Sequence, residues 1–371
     1  MYLTILIPCL NEEKTIEFCI KKALKFLNRQ NFKYEILIVD NGSTDNTVRI
    51  AKKNGARVVG EKIKGYGSAL IAGIKNAKGK FIIMGDADGS YDFSNLDSFI
   101  EKFNQGYDLV CGNRFKGGIQ KGAMPFLHKF LGNPLLSFLG RLFYKVKLGD
   151  FHCGLKGFRK DAISKLKLSA SGMEFTSELL TRAVIKKLKI SEVAVKLFRD
   201  RRNRKPHLNT WSDGWKNLTY LFYYSPKWLF SIPGKVLFIF GTLLSLLTIK
   251  GTFVVSENLY LDVFTLYAGC TMMLIGSQMY ILGFYSQIIK KNDNYQFSKF
   301  NLNLLMIALA SIIIAFVGIY LSINYWLTNE PLLVNFKILG RYFVPSITLI
   351  LFSFQIIMDV ILFNFLKKVS K

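Results

Sequence analysis

Residues 80–88 read KFIIMGDAD. Phe81–Met84 is a short apolar run that stops at a glycine followed by two aspartates, Asp86 and Asp88. A run of that length, bounded by glycine, reads as a buried strand ending in a polar turn. The same alternation extends upstream. Gly67–Ala77 reads as a helix, Ala56–Val59 as a short strand and Thr44–Asn54 as a helix. Tyr34–Val39 is a second apolar strand, closed by the turn Asp40-Asn41-Gly42-Ser43. Thr15–Leu27 is amphipathic at helical spacing, and Tyr2–Ile7 is a β-branched run closed by Pro8. Strands separated by helices predict βαβ units and a mostly parallel, Rossmann-like α/β sheet. Ligands of such sheets bind beyond the carboxyl ends of the strands. Asn11-Glu12, Asp40-Asn41, Lys64-Gly65 and Asp86–Asp88 all fall where a strand ends or a helix begins. One site is expected there.

The rest of the chain changes character. From Ile232 onward, four apolar stretches at 233–255, 262–288, 301–326 and 344–366 are long enough to cross a membrane, which takes about 20 helical residues. The expected organisation is a catalytic domain over 1–210, an interfacial amphipathic helix over 211–231 and a membrane domain of about four helices over 232–371. The 4-3-4 spacing of Trp211, Trp215, Leu218 and Phe222 predicts one aromatic face lying in the membrane plane; a core helix of the head is the alternative. Ten Lys/Arg and five Asp/Glu lie beyond Ser231, so +20 of the net +25 sits on the first 231 residues. A basic head beside membrane spans suits anionic lipid or phosphorylated substrates at a bilayer rather than nucleic acid. Lys290, Lys291, Lys299, Lys367, Lys368 and Lys371 place the head, the 290–299 loop and the C-terminus in the cytoplasm by the positive-inside rule, with Lys337 and Arg341 against the trend. Asp359, Gln355 and Gln278 fall inside spans, as functional groups or as packing glue that leaves room for a homo-oligomer. The five cysteines have no paired spacing, so neither a zinc site nor a disulfide framework is expected. A strand pattern that begins at Tyr2 is not a signal peptide.

Asp86-x-Asp88 is the strongest chemical signal. Two carboxylates at i, i+2 on a strand end can share a hard cation, Mg²⁺ or Mn²⁺, that bridges a diphosphate. Lys64-Gly65-Tyr66-Gly67 opens a helix with small residues, as a phosphate cradle or simply as a tight turn. The run Arg199, Arg201, Arg202, Arg204, Lys205 can hold anionic substrate or acidic lipid headgroups.

Taken in order, Ile7-Pro8-Cys9-Leu10-Asn11-Glu12-Glu13, Ile38–Thr47, Lys64–Gly67 and Asp86-Ala87-Asp88 resemble the motifs of family 2 glycosyltransferases, in particular the polyprenyl-phosphate enzymes related to dolichyl-phosphate mannose and glucose synthases. The resemblance covers about the first 230 residues. It implies a GT-A fold, with Pro8, Asn11, Glu12, Asp40 and Asp45 around the nucleotide, Lys64, Gly65 and Gly67 nearby, and Asp86, Ala87 and Asp88 at the metal and donor diphosphate. It also implies that Arg114, in Gly112-Asn113-Arg114, binds the acceptor phosphate and that Asp150 is the essential aspartate. Arg202 and Arg204 supply further charge for the acceptor, and Lys129 stands beside His128 near it. Lys156 stands where arginine is usual. Ser90 replaces a metal-shell glutamine of mannose synthases, which turns the expected donor toward UDP-glucose or UDP-N-acetylhexosamine. The Gln-x-x-Arg-Trp motif of processive synthases is absent.

The expected reaction is transfer of one hexose-type sugar to polyprenyl phosphate, undecaprenyl or dolichyl, at the cytoplasmic face. A phosphate monoester, with second pKa near ~6, is already ionised and needs no strong base. The competing readings are transfer to another lipid or glycan hydroxyl, which needs a base, and a non-catalytic membrane scaffold.

Overall fold

The structure is a computed structural model that describes residues 1–202, 210–257, 259–291, 294–328 and 335–369. It divides into two compact units, Met1–Tyr224 and Ser225–Lys371.

The first unit is a seven-stranded sheet in the order β3-β2-β1-β4-β6-β5-β7. Its strands are β1 (Leu3–Cys9), β2 (Tyr34–Asp40), β3 (Arg57–Gly60), β4 (Phe81–Met84), β5 (Leu109–Asn113), β6 (Lys156–Arg159) and β7 (Ile190–Ala194). The helices are α1 (Ile16–Leu27), α2 (Thr47–Lys53), α3 (Tyr66–Asn76), α4 (Asp97–Asn104), α5 (Arg114–Gly117), α6 (Asn133–Tyr144), α7 (Lys160–Ser164), α8 (Phe175–Ile185) and α9 (Thr210–Tyr223). Every strand pair is parallel except those made by β6, which runs antiparallel to β4 and β5. This is the mostly parallel arrangement that the strand–helix alternation predicts.

Alternation along β1 builds a core on each face. Leu3, Ile5 and Ile7 join one apolar cluster with Ile16, Ile20 and Phe26 of α1, while Leu6 joins the other with Leu70 of α3 and Leu179 of α8. Register decides what meets at the edge. Cys9 lies opposite Asp40 and Leu6 opposite Met84, so the chain leaves β1, β2 and β4 at the same side. The reversal at β6 sets Lys156, its first residue, opposite Met84 and Cys111. The loop before β6 is thereby delivered to the edge where β4 and β5 end.

Helix α9, over the segment expected to lie in the membrane plane, packs on α6 and α8. Asn217 and Leu221 are buried, Tyr144 Oη donates to the Leu221 carbonyl at 2.8 Å, and Phe222 meets Phe143 at 5.3 Å between rings. Trp215 stays 69% exposed.

The second unit holds α10 (Ile232–Thr248), the hairpin β8 (Phe253–Ser256) and β9 (Leu259–Leu261), α11 (Val263–Lys291), α12 (Asn294–Thr328) and α13 (Phe336–Val369). Four stretches are long and apolar enough to span a membrane: Lys227–Thr248, Val263–Ile288, Ser298–Thr328 and Lys337–Phe365. The first starts earlier than expected, at Lys227, and ends earlier too, because 253–256 is strand rather than helix. Helices α10 and α11 approach closely through glycines: a Cβ on Gly241 would sit 2.5 Å from the Gly269 carbonyl, the small-residue contact that membrane helices favour. Gln278 Nε2 donates to Asp359 at 3.0 Å, and Gln355 Nε2 donates to Gln278, so these groups serve as packing glue within the unit. Lys337 and Arg341 both reach Asp262, at 2.7 Å each.

Candidate active site

Two adjacent hollows lie at the shared strand edge of the head. The smaller, of about 290 Å³, is lined by Asn11, Glu12, Glu13, Thr44, Asp45 and Arg202 among others. Here the turns after β1 and β2 are laced together. Asn11 takes a left-handed conformation (φ 56°), donates its N–H to Ser43 Oγ at 2.9 Å and accepts from Thr44 N–H at 2.7 Å. Glu12 N–H donates to Thr47 Oγ1 at 2.7 Å, and Asp45 accepts from Thr47 N–H at 3.0 Å and Glu13 N–H at 3.2 Å. Asp40 accepts from Gly42 and Ser43, both N–H groups at 3.2 Å. Pro8 is buried in β1 opposite Val39.

Lys64, Gly65 and Gly67 make the tight turn into a helix that their spacing allows. A Cβ on Gly65 would lie 2.2 Å from the Ser171 carbonyl, and one on Gly67 would lie 2.0 Å from the Ala170 carbonyl. Ser68 N–H donates to that Ser171 carbonyl at 3.1 Å. The glycines make room for the 170–172 backbone, which also takes up a helix N-terminal donor. Lys64 Nζ caps the Asn41 carbonyl at 2.9 Å. Asn41 ties the turn down, accepting from Gly65 N–H at 2.7 Å and donating to the Ile63 carbonyl at 2.8 Å.

Asp86 and Asp88 follow β4; Asp86 lines the larger hollow, and Asp88 is bonded to Arg202 of the smaller one. Tyr66 Oη donates to Asp86 Oδ1 at 2.9 Å. Gly154 lies so close that a Cβ there would meet Asp86 Oδ2 at 2.6 Å. Burial, with Asp88 beside it, pushes the Asp86 carboxyl up to about 6. Asp88 accepts Ser90 N–H at 2.9 Å and a charged bond from Arg202 Nη2, whose Nη1 donates to Glu12 at 3.1 Å. Ala87 is buried, and its carbonyl takes the Cys19 thiol at 3.3 Å. No cluster of three or more His, Cys, Asp or Glu forms a metal site among the described residues. A lone carboxylate pair nonetheless fits Mg²⁺ or Mn²⁺, hard ions that complete their shell with water and substrate phosphate.

Asp150 and Arg114 form a buried bidentate pair, Nε–Oδ2 at 2.6 Å and Nη2–Oδ1 at 2.8 Å. Asp150 also accepts Arg114 N–H at 3.2 Å and His152 N–H at 3.3 Å. Burial alone would raise its pKa, but the bonds and charge of Arg114 outweigh that and hold the carboxyl below its ordinary value. Lys156, fully buried, donates to the Phe151 carbonyl at 3.1 Å. Burial, with Lys156 nearby, pulls His152 down to about 4, so it is neutral at pH 7. Its Nε2 meets Ser177 Oγ at 3.0 Å, and that hydroxyl donates to Asn217 at 2.6 Å.

The larger hollow, of about 610 Å³, has two chemistries. Asp86, Arg114 and His152 stand among its polar lining, while Leu131, Leu135 and Trp215 are part of its apolar wall. Close in sequence to its lining residues, Phe126, Phe130 and Phe138 are 73%, 60% and 51% exposed.

Among the described acceptor-phosphate residues expected from sequence, only Arg114 lines this hollow. Arg202 lines the smaller one instead, because the chain after β7 runs back along residues 88–91, with Phe198 N–H on the Ser90 carbonyl at 2.9 Å and Arg201 N–H on the Asp88 carbonyl at 2.9 Å. Lys129 lies with its ammonium 5.3 Å from the Phe130 ring, while its neighbour His128 lines the hollow. Arg204 lies outside the described residues. Gly154 and the apolar wall from 127–136 escaped the sequence reading, which named Asn41 and Tyr66 within its motifs without giving either a role of its own. Only the exposed apolar spacing of Phe126, Phe130 and Leu131 could have signalled the wall.

Residues 4–167 match the family described as glycosyl transferase family 2. The low-salt glycan biosynthesis hexosyltransferase Agl6 of Haloferax volcanii is 34% identical over 287 residues, 77% of this chain and 68% of that protein. A dolichyl-phosphate hexose transferase of the same organism is 30% identical over 161 residues, 43% of this chain and 68% of that protein. Among solved structures, glucosyl-3-phosphoglycerate synthase from Mycobacterium tuberculosis, with Mn²⁺, uridine diphosphate and glucosyl-3-phosphoglycerate, is 20% identical, with a TM-score of 0.49 over 60% of this chain and 80% of that one.

Proposed function

Because the chain belongs to glycosyl transferase family 2, we propose that it moves one hexose-type sugar from a nucleotide sugar, UDP-glucose or UDP-N-acetylhexosamine, to a polyprenyl phosphate at the cytoplasmic face of a membrane. The observation that carries this reading is the mixed lining of the larger hollow: a guanidinium and two imidazoles among its polar groups, leucines and a tryptophan among its apolar ones. That combination suits a ligand with a phosphate head and a hydrocarbon tail. Four candidate membrane helices in the same chain and the dolichyl-phosphate hexose transferase relative support the same acceptor class.

The donor lies in the smaller hollow, its nucleoside against Glu12, Asp40 and Asp45 and its diphosphate toward Asp86 and Asp88. A divalent cation held by those two carboxylates would neutralise charge on the departing diphosphate. Arg114, fixed in orientation by Asp150, draws the acceptor phosphate to the side of Asp86 that faces the larger hollow. A phosphate oxygen attacks the anomeric carbon, the bond to the nucleoside diphosphate breaks, and the configuration inverts. No proton need be removed. That agrees with an Asp150 locked against Arg114 and a His152 too weakly basic to serve at neutral pH. A hydroxyl acceptor would need the base that these two residues do not supply.

Membranes containing the protein, given a panel of nucleotide sugars, Mg²⁺ or Mn²⁺, and undecaprenyl or dolichyl phosphate, should yield one polyprenyl-phosphate sugar by mass spectrometry of the lipid. Asp88→Ala should slow this about 100-fold or more. Full activity of that variant, or sugar found only on hydroxyl acceptors, would overturn the proposal.

A further inference from the structure

Arg202 occupies an unusual place for a residue of a basic surface. Its side chain is 17% exposed and bridges two carboxylates, Glu12 and Asp88, which follow the neighbouring strands β1 and β4. The segment that carries it is zipped along the turn after β4: Leu197 pairs with Tyr91, Phe198 N–H reaches the Ser90 carbonyl and Arg201 N–H reaches the Asp88 carbonyl. The Arg201 guanidinium stacks 3.9 Å from the Phe18 ring, which pins the strap from its other side. Arg202 is therefore held by its own backbone directly over one of the two carboxylates that suit a hard cation.

Asp88 Oδ2 cannot serve a guanidinium and a dication fully at once, since the two positive charges would crowd one oxygen in a poorly solvated site. The guanidinium is also incompletely satisfied where it sits. Among the described residues its Nε is buried with no hydrogen-bond partner, a state that costs free energy in a donor removed from water. Glu12, by contrast, is bonded through a different nitrogen, Nη1. The contact to Asp88 can be surrendered while the one to Glu12 stays.

We propose that Arg202 is a built-in counter-cation of the donor site. It neutralises Asp88 when no donor is bound, and it must yield Asp88 Oδ2 to the divalent cation while it stays tethered to Glu12. Cation and donor binding are coupled through this exchange, because the freed Nη2 and the unsatisfied Nε can turn to the oxygens of the arriving diphosphate. The inference rests on the carboxylate pair holding a cation, as in the proposed function, but not on the identity of the sugar or the acceptor.

The test is Mn²⁺ binding to the full-length protein in detergent, read by electron paramagnetic resonance without nucleotide and then with uridine diphosphate. Arg202→Gln should bind Mn²⁺ alone roughly five- to tenfold more tightly than wild type, the range of a typical site–site coupling. The extra tightening that uridine diphosphate brings in wild type should shrink in the variant. Arg202→Lys, which keeps the charge but cannot bridge bidentately, should fall between them, and a melting curve for each variant checks folding. Equal Mn²⁺ affinity in all three, with binding abolished by Asp88→Asn, would overturn the counter-cation role and leave the metal site standing. No Mn²⁺ binding in any of them, with or without nucleotide, would overturn both.

Discussion

Arg114 and Asp150 are each buried and each is the other's partner, so the worth of one depends on the other. Arg114→Ala would leave a carboxylate in the interior without a counter-charge, at a cost of about 3–5 kcal/mol. The pH dependence has a definite sign. A carboxyl depressed in the folded state stabilises the fold above its ordinary range near ~4, and that contribution is lost as pH falls through the lower folded value. Thermal unfolding followed from neutral pH down to about 3 should show this acid-side loss in wild type, and Arg114→Ala should lack it. Retention of the full acid slope in that variant would show that another pair carries it. Trp215 gives the opposite kind of residue test. It is exposed and on the apolar wall, so Trp215→Ala should leave the melting temperature unchanged while raising KM for the lipid acceptor several-fold. An unchanged KM would remove the wall from the acceptor site.

At the scale of elements, the start of α3 shows what a local motif leaves out. Lys64-Gly65-Tyr66-Gly67 does open a helix, but its glycines admit the carbonyls of Ala170 and Ser171, more than 100 residues away in sequence, which no local pattern announces. Gly67→Ala should therefore destabilise the head by about 1–3 kcal/mol through overpacking. Gly60→Ala, where nothing lies within 4 Å of the added carbon, should change it by no more than about 0.5 kcal/mol. Equal effects would show that the close approach is not what demands glycine. In the second unit, Asp359→Asn keeps an acceptor for Gln278, whereas Asp359→Leu removes it. Unfolding in detergent should separate the two variants by about 1 kcal/mol, the scale of a polar contact between membrane helices. If Asp359→Asn is as damaging as Asp359→Leu, the carboxylate does more than bond its glutamine.

For the whole molecule, the sidedness argued from lysines is open to a direct measurement. All five native cysteines are buried, so introduced thiols can be read against a low background. Glu257 and Lys299 are both exposed. With the head in the cytoplasm, Glu257→Cys should react with an impermeant maleimide on intact cells, and Lys299→Cys only after permeabilisation. The reverse pattern would place the head outside. Lys337 and Arg341, the cations that argue against this orientation, both pair with Asp262.

The strand–helix alternation, the membrane stretches and the ordered motifs were all legible along the chain, because side-chain periodicity and apolar length are local properties. They sufficed to place the strand ends and to gather Glu12, Asp40, Asp45 and Asp86–Asp88 at one edge, since a parallel sheet brings those ends together. What each group faces was settled only by the tertiary structure. The reversal of β6 brings Asp150 to Arg114, the return of the chain after β7 lays Arg202 on Asp88 rather than beside Arg114, and α6 with α9 supplies an apolar wall to the larger hollow. Each is a pairing between residues far apart in sequence, set by sheet order and packing, and a one-dimensional pattern carries no record of such pairings.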